Sequence, residues 1–307
     1  MAALDVNFLG LHLKNPLVLA SGILGTSPSL MERCGHEGAG GVTSKSCGPE
    51  PRAGHANPVA LAWDGGVINA IGLTNPGAQA EVKFLRETKK RLRVMGVPLF
   101  ASIFAPTVGQ FAEVARVISE AEPDLIEINI SCPNVGSEFG MPFSASVESA
   151  VAVVQAVRRA VQLPISLKLA PNVPNIGKIA HAAAEEGADA ITAVNTMPAM
   201  LIDAYAGMPV LSNRTGGLSG PALKPIALRC VAEISSRVST PIIGTGGVSS
   251  GLDAVEMIMA GATLVGVGSA VWRDGPAVFG RIAGELNEFM DQEGYSRIEA
   301  LRGKALQ

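Results

Sequence analysis

The chain has 307 residues, of which 48% are hydrophobic and 17% are charged, and its formal net charge is −3. This composition supports a large buried core, and because barrels of this length commonly form one domain, we expect residues 1–307 to be a single domain. The near-neutral charge gives no reason to expect nucleic acid or an anionic membrane as a partner. The sequence shows no apolar run of membrane-spanning length and no signal peptide, so we expect a cytoplasmic protein.

The residues that most often bind metals are dispersed along the chain. The four cysteines, at positions 34, 47, 132 and 230, form no C-x-x-C pair, and the four histidines show no metal-ligand spacing. We therefore expect neither a disulfide scaffold nor a metal site nor an iron–sulfur cluster in this chain, which suits a reducing compartment.

Residues 5–13 read as two short strands, which we interpret as a hairpin around Gly10 that closes the bottom of a barrel. After them, strand-like and helix-like segments alternate along the chain. The predicted strands cover residues 17–21, 41–46, 99–105, 125–131, 165–170, 190–195, 241–244 and 264–268. The predicted helices lie near residues 29–37, 79–94, 108–120, 146–161, 176–186, 222–237, 252–259 and 277–292. Eight β/α units predict an α/β fold, a closed (β/α)₈ TIM barrel, with a doubly wound open sheet as the alternative.

Two connections are too long for simple βα loops. Residues 47–77 contain a predicted hairpin, formed by 59–63 and 67–70, and residues 197–220 are rich in Gly, Pro, Ser and Asn. Because long loops on the carboxyl face of a barrel often form lids or ligand walls, we expect both insertions to border a site.

The segment 125–134 combines a buried strand with reactive side chains. Its apolar start is typical of a strand buried on both faces, and Pro133 ends the sheet pairing. Asn129, Cys132 and Asn134 then fall at the strand's carboxyl end, where a thiol between two amides suits proton transfer at a planar polar ligand. The spacing alone fits an ordinary buried cysteine equally well.

Two lysines follow or interrupt apolar strands. Lys168 has apolar neighbours on both sides, and Lys45 follows Gly-Val-Thr-Ser at a strand end, where a surface position is the alternative. A buried lysine is costly unless it meets an anion or strong acceptors, so the pair indicates an electron-rich ligand inside the barrel.

The last two strands end in glycine-rich loops at residues 244–248 and 266–270. Each cluster alone is no better than a turn, but together they match the phosphate site that loops after strands seven and eight often form. No G-x-G-x-x-G follows a strand, so a dinucleotide site is not supported. A phosphate-bearing cofactor, a lysine and a cysteine base describe a small redox site, without naming its substrate.

Five sequence blocks, in order, resemble class 1 dihydroorotate dehydrogenases, the cysteine-based branch of that family. The blocks are residues 19–22, 43–46, 69–75, 129–134 and 213–220, and the resemblance runs from residue 8 to about residue 284. It implies an FMN-containing barrel that oxidises dihydroorotate to orotate in pyrimidine biosynthesis.

The resemblance also implies site residues. It places around the flavin Ala20, Ser21, Lys45, Ser46, Asn129, Lys168 and Gly220, and at the FMN phosphate Gly246, Gly247, Gly268 and Ser269. It places in the substrate pocket Asn69, Gly72, Leu73, Asn134, Asn195 and Thr196, with Lys45 and Asn129 touching both ligands. The catalytic residues it implies are Cys132, as the base, and Lys45. Ser102 departs from the asparagine expected to reach the flavin.

The implied mechanism is proton removal from C5 by Cys132 and hydride transfer from C6 to the flavin, with Lys168 stabilising the anionic reduced flavin. The segments 194–196, 202–203 and 213–220 resemble the B-type catalytic subunit. This branch forms a homodimer core of a heterotetramer and passes electrons through a partner subunit, which carries FAD and a [2Fe–2S] cluster, to NAD⁺. The alternatives are an A-type, fumarate-dependent enzyme, then a flavin barrel like dihydropyrimidine dehydrogenase, then a non-redox barrel that binds a sugar phosphate.

Overall fold

The computed structural model describes residues 3–131 and 143–307, with 16 strands and nine α-helices among them. The strands are β1 (Val6–Phe8), β2 (Leu11–Leu13), β3 (Leu17–Leu19), β4 (Gly41–Thr43), β5 (Ala60–Trp63), β6 (Gly66–Asn69), β7 (Leu99–Ile103), β8 (Leu125–Asn129), β9 (Ile165–Leu169), β10 (Ala190–Ala193), β11 (Met197–Ala199), β12 (Ile202–Asp203), β13 (Met208–Pro209), β14 (Gly216–Ser219), β15 (Ile242–Thr245) and β16 (Leu264–Val267). The helices are α1 (Pro28–His36), α2 (Ala78–Arg93), α3 (Val108–Ser119), α4 (Val147–Ala160), α5 (Ile176–Glu185), α6 (Lys224–Ser235), α7 (Gly251–Met259), α8 (Ser269–Asp274) and α9 (Val278–Gln292).

Eight parallel strands close into a barrel in the order β3, β4, β7, β8, β9, β10, β15 and β16, with β16 pairing back onto β3. The closed ring confirms the predicted (β/α)₈ barrel and excludes the open doubly wound sheet. Strand register decides which side chains are neighbours, because Glu127 of β8 lies opposite Ser166 of β9, and Asn129 opposite Lys168. Consecutive inward positions of these strands therefore meet inside the barrel.

The strands and helices form where their sequences favour them. β7, β8 and β9 are buried at every position, as expected for strands covered by helices outside and by side chains inside. The helices are amphipathic, and several begin at a hydroxyl cap. At the start of α4, for example, Ser146 Oγ accepts a hydrogen bond from Ser149 N at 3.2 Å.

The N-terminal hairpin β1–β2 covers the amino end of the barrel, as predicted. Phe8 of this hairpin packs against Phe100 near the start of β7, with ring centroids 6.0 Å apart, and both side chains are fully buried. The opposite, carboxyl end of the strands is consequently the end available for a ligand.

The two long insertions form one antiparallel sheet above the carboxyl end. The predicted hairpin is present as β5 and β6, and the second insertion adds β14 and β11 in the order β11-β14-β6-β5. Gly217 of β14 pairs with Asn69 of β6, which ties the two insertions together beside the barrel mouth. Across residues 3–131 and 143–307, no helix combines the length and the apolar character needed to cross a membrane.

Candidate active site

A cavity of about 620 Å³ opens at the carboxyl end of the barrel strands, under the insertion sheet. Every predicted site residue that lies within the described ranges lines this one cavity. These residues are Ala20, Ser21, Lys45, Ser46, Asn69, Gly72, Leu73, Asn129, Lys168, Asn195, Thr196, Gly220, Gly246, Gly247, Gly268 and Ser269. Cys132 and Asn134, which the sequence also predicts at the site, lie outside the described residues.

The carboxyl end of β8 is organised around the amide of Asn129. Its Oδ1 accepts hydrogen bonds from Ser131 N at 3.2 Å and Ser131 Oγ at 2.7 Å, and the Nδ2 of Asn195 lies 3.4 Å away. Asn195 Nδ2 also donates to Ser131 Oγ at 2.5 Å. A backbone N–H can only donate, so the atom facing Ser131 N must be the oxygen of Asn129. Its Nδ2 therefore points the other way, toward Ser46 Oγ at 3.2 Å.

Lys168 is buried in the barrel wall, as predicted, and its negatively charged partner is a residue of the same chain, Glu127. Its Nζ lies 3.3 Å from Oε1 of Glu127, and the two residues are 5% and 3% exposed. The sequence predicts that this lysine meets an anion or strong acceptors, and that together with Lys45 it indicates an electron-rich ligand. Glu127 supplies an anion at contact distance from within the protein, so the burial of Lys168 does not by itself require the charge of a ligand.

Glu127 was not predicted as a site residue, although the sequence carries a signal for it. Glu127 and Asn129 alternate along β8, Ser131 continues the same spacing two residues beyond its end, and alternate residues of an extended chain share one face. Three polar side chains in succession on one face of an otherwise apolar strand indicate a polar lining on the inside of the barrel.

Ser102 lies one layer below the cavity wall. Its Oγ contacts Ser46 Oγ at 2.8 Å and donates to Glu127 Oε1 at 2.9 Å, and the residue is buried. Ser46 in turn contacts Ser21 Oγ at 3.2 Å. Ser102, which stands where the family resemblance predicts an asparagine, therefore links Ser46, which follows β4, to Glu127 of β8.

Lys45 follows β4 by two residues and directly precedes Ser46 in the chain. It is partly buried and lines the cavity, which disfavours the alternative of a plain surface lysine. Its backbone N–H donates to Gly25 O at 2.9 Å, which holds the chain after β4 against the loop after β3.

The wall formed by the insertions is held in place by Asn75. Its Oδ1 accepts from Gly48 N at 3.2 Å, from Gly77 N at 2.9 Å and from Cys47 Sγ at 3.4 Å. Its backbone pairs with Arg52 in both directions. The residues just before it, Gly72 (φ +82°) and Leu73 (φ +58°), line the cavity in a conformation that this anchoring supports.

The loops after β15 and β16 present backbone to the cavity. Gly246 and Gly247 have φ values of +136° and +80°, which L side chains rarely adopt. A Cβ at Gly268 would make only ordinary contacts, 3.5 Å from Ala20 Cβ and 3.9 Å from Ile23 Cγ1, so packing within the protein does not require a glycine there. The exposed backbone of Gly268 at the cavity wall would allow an anionic group to approach closely. The ammonium group of Lys168, which lines the same cavity, suits an electron-rich ring system.

Some lining residues lie outside the predicted set, among them Arg52, His55 and Trp272. Nε2 of His55 is buried and has no hydrogen-bond partner among the described residues. These positions carry no motif or periodic signal, and only their place in the long insertion or after the last strand brings them to the cavity.

The three described cysteines are buried free thiols. Burial raises the pKa of the Cys34 thiol to about 11 and that of Cys47 to about 12, where the Glu81 carboxylate contributes as well. Burial also raises the pKa of Cys230. A thiol that must act as a base near neutral pH needs a lower pKa, so none of these three suits that role.

A (β/α)₈ barrel with a polar, lysine-bearing cavity at its carboxyl face is the architecture of a barrel enzyme. Residues 3–290 match the dihydroorotate dehydrogenase family, and the chain belongs to that family. This confirms the resemblance in the sequence.

Curated relatives match over nearly the whole chain. It is 43% identical to the protein named dihydroorotate dehydrogenase B (NAD(+)), catalytic subunit, of Pyrococcus abyssi, over 99% of both chains. Proteins of the same name from Methanosarcina acetivorans and Methanosarcina mazei are 44% and 45% identical, over 97% and 96% of this chain and 94% and 93% of theirs.

Proposed function

We propose that the chain is the catalytic subunit of a B-type dihydroorotate dehydrogenase, which oxidises dihydroorotate to orotate in pyrimidine biosynthesis with bound FMN. The observation that carries the proposal is the cavity that gathers residues at or just after the carboxyl ends of seven barrel strands, together with residues of both insertions. The names and full-length similarity of the relatives support the same activity. The proposal does not depend on any one side chain.

The residues of the cavity fit a flavin phosphate at one end and its ring at the other. The backbone around Gly246, Gly247 and Gly268 would hold the phosphate, and Lys168 and Ser46 would border the ring. FMN, when bound, supplies a two-electron acceptor for a hydride. The contribution of the protein is then to place a cation where negative charge develops on reduction.

Three asparagine side chains suit the substrate. Asn69 and Asn195 line the cavity from β6 and from the end of β10, and Asn129 joins them from β8. Within the described residues, Asn129 keeps one amide hydrogen, Asn195 keeps a lone pair on its Oδ1, and Asn69 keeps both an amide hydrogen and its Oδ1. Together they offer donors and acceptors that match the alternating N–H and C=O groups of a pyrimidine ring. Lys45, at the same wall, suits the substrate carboxylate or a ring carbonyl.

Cys132 is the proposed base. Dihydroorotate loses a proton from C5 to the Cys132 thiolate and a hydride from C6, which together form the C5–C6 double bond of orotate. Cys132 immediately follows Ser131, whose side chain bonds Asn129 and Asn195 beside the cavity. None of the three described cysteines competes for this role, because burial raises each of their pKa values.

The electrons leave through a partner. The word "subunit" in the relatives' names implies a separate chain, and NAD(+) in those names indicates the final acceptor. We propose that the partner carries FAD and a [2Fe–2S] cluster, that two copies of this chain form the core of a heterotetramer, and that the complex is cytoplasmic. This chain shows no dinucleotide fingerprint after a strand, in keeping with that division.

The test is an electron-acceptor assay on the purified single chain. Dihydroorotate oxidation is measured with NAD⁺, with fumarate and with an artificial dye. We expect dye reduction without NAD⁺ or fumarate turnover, and NAD⁺ turnover once the partner subunit is added. Brisk fumarate reduction would assign the chain to the A-type, and brisk NAD⁺ reduction by this chain alone would contradict the need for a partner.

A further inference from the structure

Glu127 is a buried carboxylate in the barrel that the reaction as described does not use. It lies on β8 between β7 and β9, and its Oε1 receives both the Lys168 ammonium at 3.3 Å and the Ser102 hydroxyl at 2.9 Å. The side chains of the ion pair are 4% and 6% exposed. A buried ion pair is weak support for stability compared with apolar packing, so its presence beside a ligand cavity suggests a role in the function of the cavity.

The carboxylate also sets the direction of the hydroxyl chain above it. A carboxylate only accepts, so Ser102 gives its proton to Glu127 and must accept from Ser46 at 2.8 Å. Ser46, having donated to Ser102, can only accept from Asn129 Nδ2 and from Ser21 Oγ, each at 3.2 Å. All three hydroxyl groups therefore point their protons toward Glu127.

This order has a consequence at the cavity wall. The hydroxyl of Ser46 has one proton and two lone pairs, and the protein already uses all three. Ser21, which donates to Ser46, keeps its lone pairs for a donor in the cavity. The buried charge of Glu127 thus decides which groups of the wall can donate to a ligand and which can accept.

We propose that Glu127 is a positioning residue for the reaction, which holds the Lys168 ammonium at the cavity wall and offsets part of its charge. Through Lys168 it sets how strongly the site favours a reduced, anionic flavin. The proposal rests on the proposed function, because it concerns a flavin in this cavity. Without the carboxylate the wall presents an uncompensated cation, and without the lysine it presents an uncompensated anion.

The experiment measures the FMN midpoint potential by anaerobic titration of the flavin-loaded chain and of its variants. We expect Glu127→Gln to raise the potential by about 30 mV or more, a tenfold change in the ratio of reduced to oxidised flavin for a two-electron couple. Lys168→Met should shift the potential in the opposite direction. The double variant Glu127→Gln/Lys168→Met should lie above Lys168→Met, which tests the carboxylate even if Glu127→Gln alone does not fold.

Ser166→Ala is the matched control. Ser166 lies two residues before Lys168 on the same inward face of β9 and opposite Glu127 in the strand register. Its Oγ bonds Thr192 Oγ1 at 2.8 Å rather than Glu127 or Lys168, so the substitution removes a neighbouring hydroxyl group and leaves the ion pair intact. The FMN midpoint potential of the Ser166→Ala variant should equal that of the wild type.

The outcomes separate this proposal from the proposed function. A flavin-loaded Glu127→Gln variant with an unchanged or lowered potential would overturn the role of Glu127, as would a double variant that matches Lys168→Met. A wild-type chain that binds no flavin would instead overturn the proposed function itself, and with it any role of Glu127 toward a flavin.

Discussion

Glu81, a buried carboxyl group in the first turn of α2, should make the stability of the protein depend on pH. Glu81 is 5% exposed, and burial raises the pKa of its carboxyl group to about 7 from an ordinary value of 4.5. The N-terminus of a helix favours a carboxylate by about 0.3–1 kcal/mol, which opposes this shift. The cost of burying the charged carboxylate outweighs this effect, because a rise in pKa from 4.5 to about 7 corresponds to about 3 kcal/mol.

The direction in which stability changes with pH follows from the pKa values of Glu81 in the folded and unfolded states. Because the pKa is higher in the folded state than in the unfolded state, the folded protein binds the proton more tightly. The stabilisation is complete below the unfolded pKa of 4.5 and is lost as the pH rises through the folded pKa of about 7. Glu81→Gln keeps the shape of the side chain and removes its ionisation. Relative to the wild type, this variant should therefore gain about 3 kcal/mol of unfolding free energy between pH 4.5 and pH 8.

The assay is urea unfolding followed by circular dichroism at several pH values across that range, with the wild type and the variant side by side. Glu113→Gln, which makes the same substitution at an exposed carboxylate on α3, is the matched control. A Glu81→Gln difference that does not change with pH, or that changes in the opposite direction, would refute the assignment of a raised pKa to Glu81.

Three further substitutions test the site. Cys132→Ala should retain bound FMN, seen in its absorbance spectrum, while steady-state oxidation of dihydroorotate falls by about 10²–10⁴-fold, and near-normal turnover would exclude Cys132 as the base. Lys168→Met should lower the unfolding free energy of the apoprotein by about 3–5 kcal/mol, because it leaves the Glu127 carboxylate buried and unpaired, and adding Glu127→Gln should restore most of that loss. Asn75→Ala removes the acceptor of three donors below the cavity wall. It should raise the KM for dihydroorotate more than it lowers kcat, and an unchanged KM would show that the wall does not need this anchor.

The barrel is predictable from the sequence because its signals are local. Each barrel strand is a short and largely apolar run, and amphipathic helices separate most of these runs. The hairpin of β5 and β6 is equally local, since Asp64 and Gly65 form its two-residue turn. The family blocks then predict which strand ends face one cavity, and the structure brings the described ones together.

The parts that the sequence does not predict depend on contacts between distant segments. The pairing of β14 with β6 joins residues about 150 positions apart, and nothing in either strand specifies its partner. Helix α8 is too short for its apolar period to show. The alternation of polar residues indicates that Glu127 faces the inside of the barrel, but only its contacts with Ser102 and Lys168, on neighbouring strands, show that its charge is compensated.

The central claim is that dihydroorotate reduces a flavin held in the cavity of this chain. The most direct measurement is an anaerobic titration of the purified chain with dihydroorotate, followed by the visible absorbance of the protein. We expect a yellow protein with one FMN per chain, which bleaches as one equivalent of dihydroorotate is converted to orotate. A colourless protein, or a yellow protein that dihydroorotate does not bleach, would contradict it.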